Sequence, residues 1–333
     1  MKHFSKLILS LLLFTGTLFS CKTSQREIAV FIPGIMADSA TYAKLAQGVT
    51  KAIDEYNTVQ HSEKDKVKLT VIEAGTTQSQ WQPKITSLAA SKKYEVIISS
   101  NPSLPQIALE VLKDFPEQKF ILLDGELSGN PEIYTVSYDQ REQAYISGYM
   151  AGLSSKTKKL GLVAAQEYPI MNEVFRPYFL KGAQKADPSC TVEFRIVGNW
   201  YDATKGSEIT KALASIGVDV ILPIVGGAGQ GVIAAAKETG IKLVWFDENG
   251  YSKALGTILC CTQVHQDKAG FETAKAYLEG KIEFGTCRKI GSIADGFTEL
   301  ISDNENYQNT NSKEVKEKMS ALIEKLRVEG LSE

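Results

Sequence analysis

Apolar strands that alternate with amphipathic helices, in two successive rounds, constrain this chain more than any other feature. Short apolar runs such as EIAVFIP and KFILLDG are each followed by a segment with helical periodicity. The pattern restarts at KLGLVAA and continues through VDVILPIV. Near-continuous apolar strands between helices are typical of parallel sheets that are covered on both faces. The sequence therefore predicts an α/β fold with two lobes, each a doubly wound parallel sheet, and a ligand cleft where the carboxyl ends of the strands face each other.

The first 20 residues have the pattern of a secretory signal peptide. Lys2 and Lys6 precede a short apolar core that ends in small residues, which is too short for a membrane span. The stretch LFSC resembles a bacterial lipobox and ends at Cys21. We therefore expect residues 1–20 to be removed, Cys21 to carry lipid, and residues 21–26 to form a tether. The alternative is an ordinary secreted protein in which Cys21 happens to lie at the boundary.

This leader predicts an extracytoplasmic protein that is anchored to a bacterial membrane, on the periplasmic face of the inner membrane.

A formal net charge of −2 and the lack of a basic block give no reason to expect nucleic acid. The remaining cysteines, Cys190, Cys260, Cys261 and Cys287, do not have metal-ligand spacing. A disulfide among them and buried free thiols both remain open.

A glycine-rich stretch, VGGAGQG, joins a predicted strand to a predicted helix. A dinucleotide fingerprint requires G-x-G-x-x-G with an acid about 20 residues later; Asp247 follows Gly229 by 18 residues, but the third glycine is out of place. A Walker loop is excluded because no Gly-Lys-Ser/Thr follows. Two interpretations remain, a backbone that approaches a neutral ligand closely and a tight turn without ligand contact.

Catalysis has little support in the sequence. The histidines His3, His61 and His265 are not placed beside a nucleophile, and no G-x-S-x-G motif is present. Asp124 and Asp247 fit a hydrolase pair less well than they fit a sugar-binding role in a cleft. We therefore predict a binding protein with no enzyme activity, no cofactor and no metal.

Three segments give this chain a resemblance to a known family. The segments YEVIISSNPSLPQIALEVLKDFPEQKFILLDG, VSYDQREQAYISGYMAGLSSKTKKLGLV and GVDVILPIVGGAGQGVIAAAKETG resemble the basic membrane protein family of lipoproteins, which includes purine nucleoside receptors. The resemblance covers about residues 30 to 300. It implies a type I periplasmic-binding-protein fold and a substrate-binding role in an ABC importer. It also implies an N-terminal lobe of residues 27–139 plus about 264–287 and a C-terminal lobe of residues 140–263 plus about 288–330.

Departures from the family pattern bear on the ligand. Nucleoside-binding members have an aspartate where Pro33 stands and a phenylalanine where Tyr42 stands. A lysine expected after the TILCC strand is replaced by Thr262 or Gln263, so that of the ribose-binding pair only Asp247 survives. Loss of two charged groups with retention of aromatic side chains narrowly favours riboflavin, which spirochaete importers take up through a receptor of this family, over a purine nucleoside. An extracytoplasmic sensor without transport is a further alternative.

The predicted ligand-binding residues lie at strand ends, in the glycine-rich stretch, or at positions that the resemblance assigns. Asp247 is expected to accept vicinal hydroxyls and Tyr42 to stack on a planar ring. The expected partners are the ligand and ABC permease subunits, and we expect a monomer. The complete predicted set is Asp38, Tyr42, Asp124, Tyr138, Asn172, Trp200, Tyr201, Gly226, Gly227, Gly229, Trp245, Asp247 and Asn249.

Overall fold

Two six-stranded sheets with helices on both faces form the protein. The structure is a computed structural model that describes residues 25–331. The predicted signal peptide (1–20), Cys21 and residues 22–24 of the predicted tether lie outside the described residues. The predicted two-lobed α/β architecture is confirmed. Among the described residues, no helix combines the length and apolarity that a membrane crossing needs.

The strands alternate with helices along most of the described chain. The strands are β1 (Arg26–Ile32), β2 (Val67–Glu73), β3 (Val96–Ser100), β4 (Lys119–Leu123), β5 (Ile133–Tyr138), β6 (Lys159–Ala164), β7 (Thr191–Ile196), β8 (Val220–Ile224), β9 (Lys242–Trp245), β10 (Ile258–Val264), β11 (Cys287–Ile290) and β12 (Thr298–Leu300). The helices are α1 (Ala40–Thr58), α2 (Trp81–Ala90), α3 (Leu104–Leu112), α4 (Arg141–Ser154), α5 (Arg176–Ala186), α6 (Ala203–Ser215), α7 (Gly229–Thr239), α8 (Gln266–Leu278), α9 (Glu305–Thr310) and α10 (Lys313–Glu329).

The first sheet has the strand order β11-β5-β4-β3-β1-β2, and all of its pairings are parallel. The second sheet has the order β12-β10-β9-β8-β6-β7, in which only β12 runs antiparallel. In each lobe the strand order reverses next to the first strand of that lobe, β1 or β6. Ligands bind outside the carboxyl ends of strands at such reversals.

The chain passes between the two sheets three times. It leaves the first sheet after Tyr138, returns after Val264, and leaves again after Ile290 to add β12 to the second sheet. Strand β11 pairs with β5, so the first sheet extends to Ile290 and not only to about residue 287. Helix α8 packs on α1, and α4 packs on α5.

Apolar side chains cover both faces of the first sheet because alternate residues of a strand point in opposite directions. Ile28, Val30 and Ile32 of β1 belong to the cluster that includes α1 and α8, whereas Ala29 and Phe31 belong to the cluster of α2 and α3. The second lobe has one continuous cluster around its sheet. These strands are therefore buried on both faces, as their unbroken apolar sequences predict.

Glycines allow the helices of each lobe to approach closely. A Cβ atom on Gly148 of α4 would overlap the backbone oxygen of Phe179 on α5, and one on Gly182 of α5 would overlap the backbone oxygen of Tyr145. The two glycines thus face each other's helix reciprocally. This contact explains why the AYISGYMAG segment carries a glycine where a helix would favour alanine.

Cys190, Cys260 and Cys261 are buried free thiols, and Cys287 is a half-buried free thiol. The sequence left open a disulfide and buried free thiols. In the described residues these four cysteines are free thiols.

Candidate functional site

A cavity of about 160 Å³ lies between the carboxyl ends of the two sheets. Both lobes contribute polar and aromatic side chains to its wall. The first lobe supplies Asp38, Tyr42, Ser100, Asn101 and Asp124; the second supplies Tyr168, Phe175, Trp200, Tyr201, Gly226, Gly227, Gly229, Trp245, Phe246, Asp247 and Glu248.

Ten of the thirteen predicted ligand-binding residues line this cavity. They are Asp38, Tyr42, Asp124, Trp200, Tyr201, Gly226, Gly227, Gly229, Trp245 and Asp247.

The other three predicted residues lie elsewhere. Tyr138 is buried, and its hydroxyl donates to Gln266 Oε1 at 2.9 Å, because its place in β5 directs the ring towards α8. Asn172 is exposed and bonds Glu167 and Arg176 within its own segment. Asn249 is exposed and accepts from its near neighbour, the Tyr251 backbone N–H, at 3.4 Å. Hydrogen bonds within the protein therefore involve all three side chains.

The glycine-rich stretch accommodates aromatic rings of the protein itself. A Cβ on Gly226 would lie 3.1 Å from Trp200 Cε3, one on Gly227 would lie 2.6 Å from Tyr201 Cδ1, and one on Gly229 would lie 3.1 Å from Trp245 Cη2. Gly226 also has φ +55°, which disfavours other residues. The sequence left open a close approach to a ligand and a tight turn without ligand contact. In the structure the glycines bring three rings against the backbone, and these rings form part of the cavity wall.

Tyr42 contributes a ring from the start of α1. Ser39 caps this helix by accepting from the Tyr42 backbone N–H at 3.4 Å. The Tyr42 hydroxyl accepts from Asn101 Nδ2 at 3.2 Å, and Asn101 is itself buried. Burial raises the pKa of Tyr42, so the phenol stays neutral. The second lobe places Tyr168 and Trp200 in the same wall.

Asp124 and Asp247 occupy corresponding places in the two lobes. Asp124 follows β4 directly, and Asp247 comes two residues after β9; each strand is the fourth of its lobe along the chain. Both residues have left-handed backbone, with φ +56° and +67°. Aspartate tolerates this region better than most residues do. The same local device thus presents a carboxyl group to the cavity from each side.

Burial changes the protonation of both carboxyl groups. Desolvation, with the nearby charge of Asp247, raises the pKa of Asp124 well above its usual range. Within residues 25–331, the Asp124 carboxyl group has no hydrogen bond or ion pair. As a carboxylic acid, Asp124 can donate as well as accept a hydrogen bond. Desolvation raises the pKa of Asp247 to about 7, partly offset by a hydrogen bond from Gln143.

Gln143 lies behind Asp247. Its Nε2 donates to Asp247 Oδ1 at 3.1 Å and to Thr262 Oγ1 at 3.2 Å. Thr262 is one of the two residues that stand where the family pattern has a lysine, so a neutral side chain takes part in this network. Gln143 is fully buried on α4, and the local sequence gave no signal of this role. Asn101 and Tyr168 follow the carboxyl ends of β3 and β6, where ligand residues are expected, although neither is in the predicted set.

The pKa of Asp247 predicts a pH-dependent affinity for a ligand whose hydroxyls donate to this carboxylate. Such donors favour the charged form, so the pKa falls on binding. Affinity should therefore decrease as the pH falls below about 7, by at most about tenfold per pH unit. Titration calorimetry at several pH values between 5.5 and 8 measures how the ligand affinity changes with pH.

The control for this slope is Asp247→Asn, which should flatten it. Asp124 also faces this region with a raised pKa, so a slope that persists in the Asn variant would assign the titration to Asp124. That result would contradict the role given to Asp247.

The family model for the Bmp family, described as ABC transporter substrate-binding protein PnrA-like, matches residues 25–332. This chain belongs to that family. The family is described by substrate binding and not by a reaction. Two curated relatives and one solved structure are similar to this chain.

Basic membrane protein D of Borreliella burgdorferi is 22% identical over 303 residues, which cover 89% of this chain and 85% of that protein. The ABC transporter nucleoside-binding protein BmpA of Lactococcus lactis is 26% identical over 149 residues, 45% of this chain and 42% of its own length. The chain spans less than half the length of several curated relatives that it matches.

The fold is similar to that of an ABC transporter solute-binding protein from Aeropyrum pernix. The TM-score is 0.67 at 19% identity, and the match covers 92% of this chain and 87% of that one. At this identity the likeness shows the fold alone.

Proposed function

We propose that this protein is the substrate-binding component of an ABC importer and that it captures a neutral planar heterocycle that carries vicinal hydroxyls. The observation that carries the proposal is the composition of the cavity wall. Seven aromatic side chains surround one small space, and Asp124 and Asp247 are two of the four carboxyl groups in its wall. The aromatic residues are Tyr42, Tyr168, Phe175, Trp200, Tyr201, Trp245 and Phe246.

Aromatic faces favour a flat ring because stacked or edge-on rings gain about 0.5–1.5 kcal/mol beyond the burial of their area. Tyr42 reaches the cavity from the first lobe, and Tyr168 and Trp200 reach it from the second. A flat ring held between the lobes would contact aromatic carbon on both sides. Such a ligand binds best when the lobes are closed.

The polar groups favour a ligand with hydroxyls and without a charge. Asp247 accepts from Gln143 through Oδ1, its second carboxylate oxygen has no hydrogen bond from the described residues, and the group can accept from two hydroxyls. Among residues 25–331, Lys253 is the single lysine or arginine that lines the cavity, and it is paired with Glu248 at 3.0 Å. A phosphate would therefore lack a cation to pair with, which argues for a nucleoside-like ligand and against a nucleotide.

Riboflavin and a purine nucleoside both belong to this class. The large aromatic wall and the absence of a carboxylate at Pro33 favour riboflavin narrowly. The Lactococcus relative, named as nucleoside-binding, supports the second candidate. In both cases Asp247 would accept hydroxyl donors, from the ribityl chain or from ribose.

The test is a fluorescence titration of residues 22–333 with riboflavin, beside calorimetry with inosine and guanosine. Bound flavin should lose its emission through stacking against tryptophan or tyrosine, at sub-micromolar ligand. A calorimetric signal from a nucleoside without flavin quenching would assign the purine branch. Lack of binding to all three compounds would contradict the proposed ligand class.

We further propose that Cys21 carries the lipid anchor and that the closed protein docks on permease subunits at an extracytoplasmic membrane surface. The family description supports the transporter assignment. The anchor is tested by growing cells that express the Cys21→Ser variant with radiolabelled palmitate. The variant protein should carry no label, although it should still be exported. Label retained by the variant would contradict lipidation at this cysteine.

A further inference from the structure

Besides the bonds from Ser103 Oγ to Gln166 Oε1 at 3.2 Å and from Lys44 Nζ to Gln263 Oε1 at 2.7 Å, two hydrogen bonds join the lobes beside the cavity. The Tyr201 hydroxyl, from the second lobe, donates to the Pro33 backbone oxygen of the first lobe at 2.8 Å. The Ala40 backbone N–H, at the start of α1 in the first lobe, donates to Glu248 Oε2 of the second lobe at 3.1 Å. Both bonds connect protein atoms to protein atoms, so neither requires a ligand.

The packing around Tyr201 is shaped for the first of these bonds. A Cβ on Gly34 would overlap the Tyr201 hydroxyl, and one on Gly227 would lie 2.6 Å from its ring. Tyr201 is thus seated between a glycine of each lobe. Pro33 offers only its carbonyl here, and Tyr201 occupies that acceptor. Burial raises the pKa of Tyr201 to about 12, so its hydroxyl keeps the donated proton.

Glu248 makes the second bond from a buried position. Its Oε1 accepts from Trp245 Nε1 at 3.2 Å and pairs with Lys253 Nζ at 3.0 Å, while its Oε2 accepts from Ala40. The first helical N–H groups of α1 have no partner within the helix, and a carboxylate beside them is favoured by the helix dipole. One side chain therefore ties a cavity-wall tryptophan to a helix of the opposite lobe.

We infer that Tyr201 and Glu248 are positioning residues that hold the lobes closed and thereby slow ligand release. We call these two bonds the interlobe clasp. The clasp adds to closure whether or not a ligand is present, so it shifts the open–closed equilibrium of the protein alone. Ligand affinity then depends on bonds that the ligand does not make.

The clasp can be removed without touching the carboxyl groups of the cavity. Tyr201→Phe keeps the ring and removes only the hydroxyl. Ala40→Pro removes the N–H donor at the first position of α1, where proline is well tolerated and the preceding Ser39 is already extended, at φ −138° and ψ 107°. Ala40 is not part of the cavity wall.

Small-angle scattering of the protein without added ligand is the first readout. The double variant, which combines Tyr201→Phe with Ala40→Pro, should have a larger radius of gyration than the wild type. Each single variant should raise the dissociation rate of the bound probe, riboflavin or inosine, by about fivefold, with little change in the association rate. Tyr149→Phe, a half-buried tyrosine away from the cavity, is the matched control and should change neither quantity.

Equal scattering curves for the double variant and the wild type would overturn the clasp. Faster release with unchanged scattering would also overturn it, because Tyr201 would then act through ligand contact alone. Thermal melts identify any variant that fails to fold, and Tyr201→Phe, being almost isosteric, keeps the test available if Ala40→Pro does not fold. The inference rests on the proposed function for its kinetic readout only; scattering does not depend on which ligand binds.

Discussion

Asp247→Asn is expected to weaken binding of riboflavin or a nucleoside by roughly tenfold to over a hundredfold. A hydrogen bond to a charged acceptor contributes about 1.5–3 kcal/mol, and the amide loses the charge as well as half of the acceptor capacity. Asparagine keeps the size of the side chain and tolerates the φ of +67° at this position, so the fold should be retained. Calorimetry at pH 8, where the Asp247 carboxylate is charged, measures the loss.

Asn249→Ala is the matched control for this experiment. Asn249 lies two residues further along the same loop, is exposed, and does not line the cavity. Its loss should leave the affinity within about twofold of the wild type. Equal affinities for Asp247→Asn and the wild type would remove Asp247 from the binding site and, with it, the hydroxyl-binding part of the proposed function.

Gly148→Ala is expected to lower the free energy of unfolding by about 1–3 kcal/mol, which is the usual cost of inserting a methyl group where there is no room. The added Cβ would overlap the backbone oxygen of Phe179, and a backbone atom cannot move aside as a flexible side chain can. Alanine otherwise favours a helix, so propensity alone predicts a small gain. The sign of the change therefore distinguishes packing from propensity.

Chemical denaturation with a constant m-value measures this difference. Ser154→Ala, at the end of the same helix and only half-buried, serves as the control and should change stability by less than about 0.5 kcal/mol. A Gly148→Ala protein as stable as the wild type would mean that α4 and α5 can separate without cost, contrary to their reciprocal glycine contact.

The sequence predicted the architecture well because its signal is repeated along the chain. Ten of the twelve strands in the described residues, β1 to β10, are apolar runs of the kind from which the alternation was predicted. The two missed strands, β11 and β12, are only four and three residues long. Their residues, CRKI and TEL, have too little apolar character to be recognised, and they form strands because an existing sheet edge offers backbone partners.

The candidate site was predicted less completely, for a different reason. Strand ends identify a region of the fold. Whether a given side chain there faces the cavity depends on its position in the strand, because successive residues point to opposite faces of the sheet. Tyr138 differs from the cavity residues in this respect and packs against α8. Gln143 lies inside a helix whose sequence indicates only burial, and its contact with Asp247 joins residues 104 positions apart. A contact of that kind cannot be read from local sequence.

The three passages of the chain between the lobes have a consequence for the order in which the protein is assembled. Helix α1 packs on α8 and strand β5 pairs with β11, and both partners are synthesised much later. The first lobe is therefore incomplete until residue 290 has emerged from the ribosome. By then nearly all of the second lobe has been synthesised. Neither lobe can therefore serve as a finished domain on which the other folds, and the apolar face of α1 stays uncovered for most of the time that translation takes. A nascent chain of this protein therefore lacks a complete lobe until its synthesis is almost finished.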